Sequence, residues 1–226
     1  MSIHDGHRAR LRQRFLDHGL DSFDEHTVIE LLLFYAIPRG DTNPTAHALM
    51  NHFGSLAAVF DAPLESLMEV PGVGESAAAL IKLVPQVARR YGISKAQTGD
   101  IVENSRAAGA YLAPLFTAAR DELVYLLCLD AKCKVLGCTL VCRGSVTSAS
   151  FSVRQVAETA ITYNASSVIL AHNHLSGIAV PSQQDMQTTT RLAKALKLLD
   201  VTLADHLVIA DGDWVSMADS GMLDNI

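Results

Sequence analysis

Two histidines, a serine and an aspartate crowd one short stretch of the chain, Ala171-His172-Asn173-His174-Leu175-Ser176-Gly177-Ile178-Ala179-Val180-Pro181-Ser182-Gln183-Gln184-Asp185. His172 and His174 stand two residues apart, so an extended backbone would project both imidazoles to one face. Two neutral ring nitrogens and the Asp185 carboxylate make three ligands for a divalent ion, and zinc accepts such a set in catalytic sites with its fourth position open. Each piece has a plainer use as well. Ser182 and Asp185 are spaced like a capping box, with Asp where Glu or Gln is usual, and paired histidines at a strand end can be ordinary hydrogen-bonding residues. The joint pattern favours the metal: strand, H-x-H, a seven-residue gap, Ser, two residues, then Asp at a helix start. The contiguous His172-Asn173-His174 is not the HNH nuclease signature, whose residues are scattered over a longer ββα motif.

A hydrolytic metal site also needs a proton acceptor beside the attacking water. Glu103, Glu122 and Glu158 are the carboxylates on offer in this half of the chain. Glu122 opens a core strand and is preferred; its alternative is an exposed strand-end residue. Asp205-His206 could stand behind the ligands and orient them, or be structural.

Several elements must position these groups. Ser166 to Leu170 reads as a buried strand that delivers His172 to its end. Gly177 and Pro181 mark a loop, after which Met186, Leu192, Ala193 and Leu196 recur at helical spacing. Upstream, residues 105–119 predict a helix, Glu122 to Leu129 a strand, Asp130 to Lys134 a hairpin loop and Val135 to Val141 its return strand. Val146-Thr147-Ser148 predicts a further strand, and Val153 to Tyr163 a helix. Val201 to Leu203 and Leu207 to Ile209 read as two short strands, with a turn at Asp211-Gly212 before Trp214 and Val215. Strands interleaved with helices predict an α/β domain built on one mixed, twisted sheet.

The first half reads as all-helical. Arg8, Arg10, Arg12 and Arg14 accompany Leu11, Phe15 and Leu16 on a basic amphipathic helix, either a solvated face or a phosphate-binding one. Leu31 to Phe34 belong to a buried helix that Pro38-Arg39-Gly40-Asp41 ends; helices then start at Asn43-Pro44 and near Leu56. Val70-Pro71-Gly72-Val73-Gly74 followed by small residues looks like a helix-hairpin-helix element. Gly72 and Gly74 permit a tight turn whose N–H groups could meet a phosphate. Such elements hold nucleic-acid backbones without reading bases. Residues 1–99 nevertheless carry nine Lys and Arg against eleven Asp and Glu, so DNA binding and a purely structural hairpin both stay open. The expected organisation is a helical domain over 1–92, a linker over 93–103 and the metal domain over 104–226.

A chain of 226 residues that is 49% hydrophobic can bury one or two cores, and its net charge of −6 argues against a protein that coats nucleic acid. No signal-peptide core and no membrane-length apolar run is present, which predicts a cytoplasmic protein without a membrane partner. Cys128, Cys133, Cys138 and Cys142 lack a C-x-x-C pair and read as reduced thiols rather than a zinc site.

The pattern H-N-H-x7-S-x2-D resembles the JAMM (MPN+) metal motif, and His-Asn-His with Ser-Gly and then Pro-Ser-x-x-Asp resembles its bacterial branch, the RadC family. The likeness extends over nearly the whole chain. It implies a cytidine-deaminase-like, MPN-type metal domain with His172, His174 and Asp185 as zinc ligands. Ser182 would help to hold the tetrahedral intermediate, and Glu122 matches the JAMM glutamate that opens an early strand. The implied activity is zinc-dependent hydrolysis of peptide or isopeptide bonds in a peptide or protein substrate, with an accessory helix-hairpin-helix domain. The alternative is a DNA-associated protein whose metal domain is a recruitment module or phosphodiesterase. One residue departs from the RadC pattern: Leu175 stands where a proline follows the second histidine, which frees the backbone of His174 but removes no ligand.

Overall fold

A computed structural model of the chain describes residues 3–95, 98–144 and 152–224. They divide into two compact units, 1–87 and 88–226. The first is helical: α1 (Ile3–His18), α2 (Glu25–Ala36), α3 (Asn43–Phe53), α4 (Leu56–Asp61), α5 (Leu64–Met68) and α6 (Glu75–Lys95), the last of which continues past residue 87. Pro44 sits in the first turn of α3, where its missing N–H costs nothing, and Gly54 ends that helix at φ +85°. Ile29, Leu33, Leu49, Val59, Leu67, Ala78 and Ile81 form the core of this unit. Leu11 joins Leu31 and Phe34 in a smaller cluster. Two of the four α1 arginines serve the fold. Arg8 donates to the carbonyls of Ile37 and Gly40 and lies over the Phe34 ring, and Arg14 lies over Phe23 and donates to Ser22 O.

The second unit holds α7 (Ser105–Leu112), a 3-10 helix (Ala113–Phe116), β1 (Leu123–Leu129), β2 (Val135–Arg143), α8 (Val153–Thr162), β3 (Ser167–Asn173), α9 (Gln183–Lys197), β4 (Thr202–Ala210) and β5 (Asp213–Ser216). The strands make one mixed sheet in the order β2-β1-β3-β4-β5, with β3 and β4 parallel and the other neighbours antiparallel. Parity sorts its two faces. Val124, Leu126, Cys128, Val168 and Leu170 meet Val156 and Ala160 of α8 and Leu192 and Leu196 of α9. Leu123, Tyr125, Leu127, Ile169, Ala171 and Leu207 meet Ala108 and Leu112 of α7 and Leu115 and Phe116 of the 3-10 helix. Each such buried aliphatic side chain contributes about 1.5–3 kcal/mol by leaving water. The central strands are therefore apolar on both faces, and β1 is buried at every position.

Two expectations need correction. The two expected strands, Val201 to Leu203 and Leu207 to Ile209, are one continuous strand, β4, that starts at Thr202, because the polar pair between them, Asp205-His206, is itself buried and hydrogen-bonded. A register shift opposite Val168 and Ile169 lets the strand run on. The helix expected over 105–119 stops being α-helical at Leu112 and tightens into the 3-10 turn that contains Pro114. The strand expected at Val146-Thr147-Ser148 lies outside the described residues. Among the described residues, no helix is long and apolar enough to cross a membrane.

Candidate metal centre

Strand β3 carries its alternation past its formal end. His172 lies within it, and the backbone N–H of His174 still donates to Ile209 O at 2.8 Å, which continues the pairing with β4. Both imidazoles consequently emerge on one face, with their Nε2 atoms 3.0 Å apart. The chain then turns at Gly177, whose φ of +76° suits glycine and where a Cβ would lie only 2.8 Å from Asp211 Oδ2. It returns at Ser182 to start α9. There Asp185 Oδ1 lies 3.3 Å from His172 Nε2 and Oδ2 lies 3.4 Å from His174 Nε2. His172 and Asp185 are buried, while the His174 side chain keeps 19% of its surface exposed and marks the open side.

Both readings of the Ser182–Asp185 pair hold at once. Ser182 Oγ accepts from Asp185 N–H, and Ser182 N–H donates to Asp185 Oδ2 at 2.8 Å, completing a capping box. The Ser182 hydroxyl proton also goes to Oδ2, at 2.7 Å. The helix cap thus aims the carboxylate at the histidines.

The far nitrogens decide what the near ones can do. His174 Nδ1 lies 3.1 Å from the carbonyl of Ile178, which only accepts, so this nitrogen carries the proton and Nε2 carries a lone pair. His172 Nδ1 lies 2.8 Å from His206 Nε2, and His206 Nδ1 lies 2.6 Å from Thr189 Oγ1. Acceptor atoms from His172, His174 and Asp185 converge within 4.8 Å of one another, an arrangement that repels itself unless a cation sits among them. The donor set therefore fits a divalent metal ion. Burial alone would raise the Asp185 carboxyl, but hydrogen bonds, among them those from the O–H and N–H of Ser182, hold it well below the usual carboxylate range. Burial, and then His172, push His206 well below the ordinary imidazole value.

Glu122 ends half-buried, one residue ahead of β1, and its carbonyl accepts from Gly144 N–H at 2.6 Å. The β1–β3 register pairs Val124 with His172, and directly opposed residues share a face. The ladder ends at that pair, and Glu122 precedes Val124 by two residues, on the same parity. The other carboxylates do not come to the centre: Glu158 pairs with Arg154 on the exposed side of α8, and Glu103 is exposed ahead of α7. Of the Asp205-His206 pair, only His206 reaches the ligands. Asp205 fastens β4 to the segment after it, accepting from His206 N–H, Ala218 N–H and Ser216 Oγ.

Two contributors were not singled out from the sequence. Asn173, between the histidines, faces away from the centre, where its Oδ1 accepts from Leu123 N–H at 2.7 Å and its Nδ2 donates to Asp121 O at 3.2 Å. It clamps the residues on both sides of Glu122. Thr189 stands one turn after Asp185 on α9, and that i, i+4 spacing was its only signal. In the helical unit, Gly72 has φ +88° and packs so closely that a Cβ would run into Thr45 Oγ1, whereas a Cβ at Gly74 would meet nothing within 4 Å. Cys128, Cys133 and Cys138 carry free thiols, with burial pushing Cys128 up to about 11 and Cys138 up to about 12.

A family model described as a RadC-like JAB domain matches residues 102–222. The chain is also similar to a UPF0758 protein of Ruegeria pomeroyi, 35% identical over 217 residues that span 96% of this chain and 97% of that one. A UPF0758 protein of Stutzerimonas stutzeri is 34% identical over 224 residues, 99% and 100% of the two chains.

Proposed function

Because the chain belongs to the RadC family, with its JAB domain, we propose that it is a zinc-dependent hydrolase of JAMM type that cleaves peptide or isopeptide bonds. The observation that carries this reading is the convergence of His172 Nε2, His174 Nε2 and the Asp185 carboxylate, each held from behind by a hydrogen bond. The two Nε2 atoms are 3.0 Å apart, and Asp185 offers a different oxygen to each, Oδ1 at 3.3 Å from His172 and Oδ2 at 3.4 Å from His174, so that one ligand atom from each residue falls within 4.8 Å of the others. When bound in such a set, zinc polarises a carbonyl oxygen and acidifies water.

The chain's own residues supply the rest. Glu122 takes the proton of the attacking water on its carboxylate and gives it to the departing amine nitrogen, a role supported by its place two residues ahead of Val124, which pairs with His172. Ser182 turns its hydroxyl from Asp185 Oδ2 towards the oxyanion that develops on the carbonyl. Asn173 holds the backbone on either side of Glu122. Asn173→Ala is therefore expected to lower kcat by up to about 10²-fold through misplacement of the base, with zinc affinity unchanged; steady-state kinetics beside a zinc titration checks it. The free thiols suit a reducing cytoplasm.

The hydrolase reading is tested by cleavage of a diverse peptide and isopeptide library by full-length protein. Activity that a chelator abolishes and zinc restores supports it. A zinc-loaded protein that cleaves phosphodiesters and no amide would contradict it.

The DNA-associated alternative rests on the open turn at Gly74, ahead of α6. In this reading residues 1–92 form a helix-hairpin-helix domain that holds the DNA backbone through Gly72 and Gly74. It predicts sequence-independent duplex binding by the full chain that weakens steeply as salt rises. Titration at low salt with no detectable affinity would make the hairpin structural, the use that the packing of Gly72 against Thr45 already gives it.

A further inference from the structure

Behind His172 lies a short polar chain buried among the core side chains of the sheet and α9. His206 and Thr189 have no exposed surface, and the hydrogen bonds run from His172 Nδ1 to His206 Nε2 (2.8 Å), from His206 Nδ1 to Thr189 Oγ1 (2.6 Å) and from Thr189 Oγ1 to the backbone carbonyl of Asp185 (2.6 Å). We propose that Thr189 and His206 form a one-directional hydrogen-bond relay that locks His172 in the tautomer with a free Nε2, making them positioning residues for the metal ligand. This inference rests on the metal reading above.

The direction follows from proton counting. Asp185 O can only accept, and two oxygens 2.6 Å apart with no proton between them repel, so the single Thr189 hydroxyl proton points to Asp185 O. Thr189 Oγ1 then offers His206 a lone pair, and His206 Nδ1 must donate to it. The two nitrogens of His206 meet a threonine and a histidine, not a carboxylate, in a fully buried place where a second proton would be an unpaired charge. His206 Nε2 is consequently an acceptor, His172 Nδ1 donates to it, and His172 Nε2 is left to face Asp185 and His174.

Asp185 stands at both ends of the relay. Asp185 supplies both the carboxylate at one end and, through its own carbonyl one helical turn below Thr189, the anchor at the other. Asp185 and Thr189 ride on the same turns of α9 and His206 on β4, so the helix and the strand that bury the ligands also orient them. Reversing any one bond reverses them all: Thr189 would donate to His206 Nδ1, His206 Nε2–H to His172 Nδ1, and His172 would place a proton on the ligand atom. Outer partners of this kind are worth about 10–100-fold in metal affinity.

The test uses full-length protein labelled with 15N-histidine. Two-bond proton–nitrogen correlations read the tautomers of His206 and His172 before and after zinc addition, and chelator competition reads zinc affinity for the wild type, Thr189→Val and Thr189→Ser. The expected result is His206 protonated on Nδ1 in the wild type, with or without zinc. Thr189→Val should bind zinc about 10–100-fold more weakly, and Thr189→Ser, which keeps the hydroxyl, should stay near wild type. A merely structural threonine would not change the His206 tautomer, and the valine variant should. His206 protonated on Nε2 in the wild type, or a valine variant with unaltered zinc affinity, would overturn the relay and leave the metal site standing. A wild type that binds no zinc while His206 is protonated on Nδ1 would overturn the metal reading instead and support the direction of the relay.

Discussion

Glu122→Gln is expected to keep the fold and the metal and to slow hydrolysis by about 10²–10⁴-fold, the usual contribution of a positioned general base. The amide has the shape of the carboxylate but cannot take a proton from water. Among the described residues the side chain makes no hydrogen bond or ion pair, and the strand start is held by Gly144 N–H donating to Glu122 O and by Leu123 N–H donating to Asn173 Oδ1. Turnover measured at equal metal occupancy, beside a thermal melt, separates the two roles. A variant that hydrolyses substrate at the wild-type rate would remove Glu122 from the mechanism and return Glu122 to the strand-end residue it otherwise resembles.

The second large effect is expected at Asp185. Asp185→Asn removes the one anionic ligand while its remaining oxygen can still accept from Ser182, so the helix cap survives in part and the cost to stability is at most about 1 kcal/mol. Zinc affinity should fall by more than the roughly 10–100-fold that loss of an outer partner brings. The difference is visible in melting experiments. A ligand present at a hundred times its Kd stabilises the folded state by about 2.7 kcal/mol, so zinc should raise the Tm of the wild type and leave that of Asp185→Asn nearly unmoved. The pH dependence has a definite sign. A carboxyl whose folded pKa lies below its unfolded value of about 3.9 stabilises the protein above that value and loses the contribution as pH falls further. Asp185 is therefore ionised throughout the neutral range. An equal zinc-induced rise in Tm for both proteins would show that Asp185 is no ligand.

The site was legible in the sequence where local spacing governs geometry. H-x-H on a strand and Ser-x-x-Asp at a helix start each set their side chains through backbone periodicity alone, and His172, His174 and Asp185 do come together. What was not legible depends on pairing between distant segments. Asn173 bonds to Leu123 and Asp121 across the β1–β3 pairing, some fifty positions away in the chain, and no local pattern announces such a partner. Thr189 reads as one of three consecutive threonines on α9, and only the approach of His206 from β4 gives its hydroxyl a purpose. The same blindness split β4. Asp205-His206 looks like a polar break between two apolar pieces until Ser216, Ala218 and Thr189 satisfy it from elsewhere. Helices ended where local chemistry ended them, at Gly54 for α3 and at the turn with Pro114 after α7. The packing of Gly72 on Thr45 gives the hairpin glycine a tertiary reason that its motif did not contain.

The central claim is that His172, His174 and Asp185 hold one zinc per chain. Its most direct test is elemental analysis of the full-length protein, purified without a histidine tag and reloaded with zinc after chelation, for the wild type and for His172→Ala. The account predicts one zinc per chain in the wild type and substoichiometric zinc in the variant. A wild type that takes up no zinc, or a variant that retains a full equivalent, would contradict it.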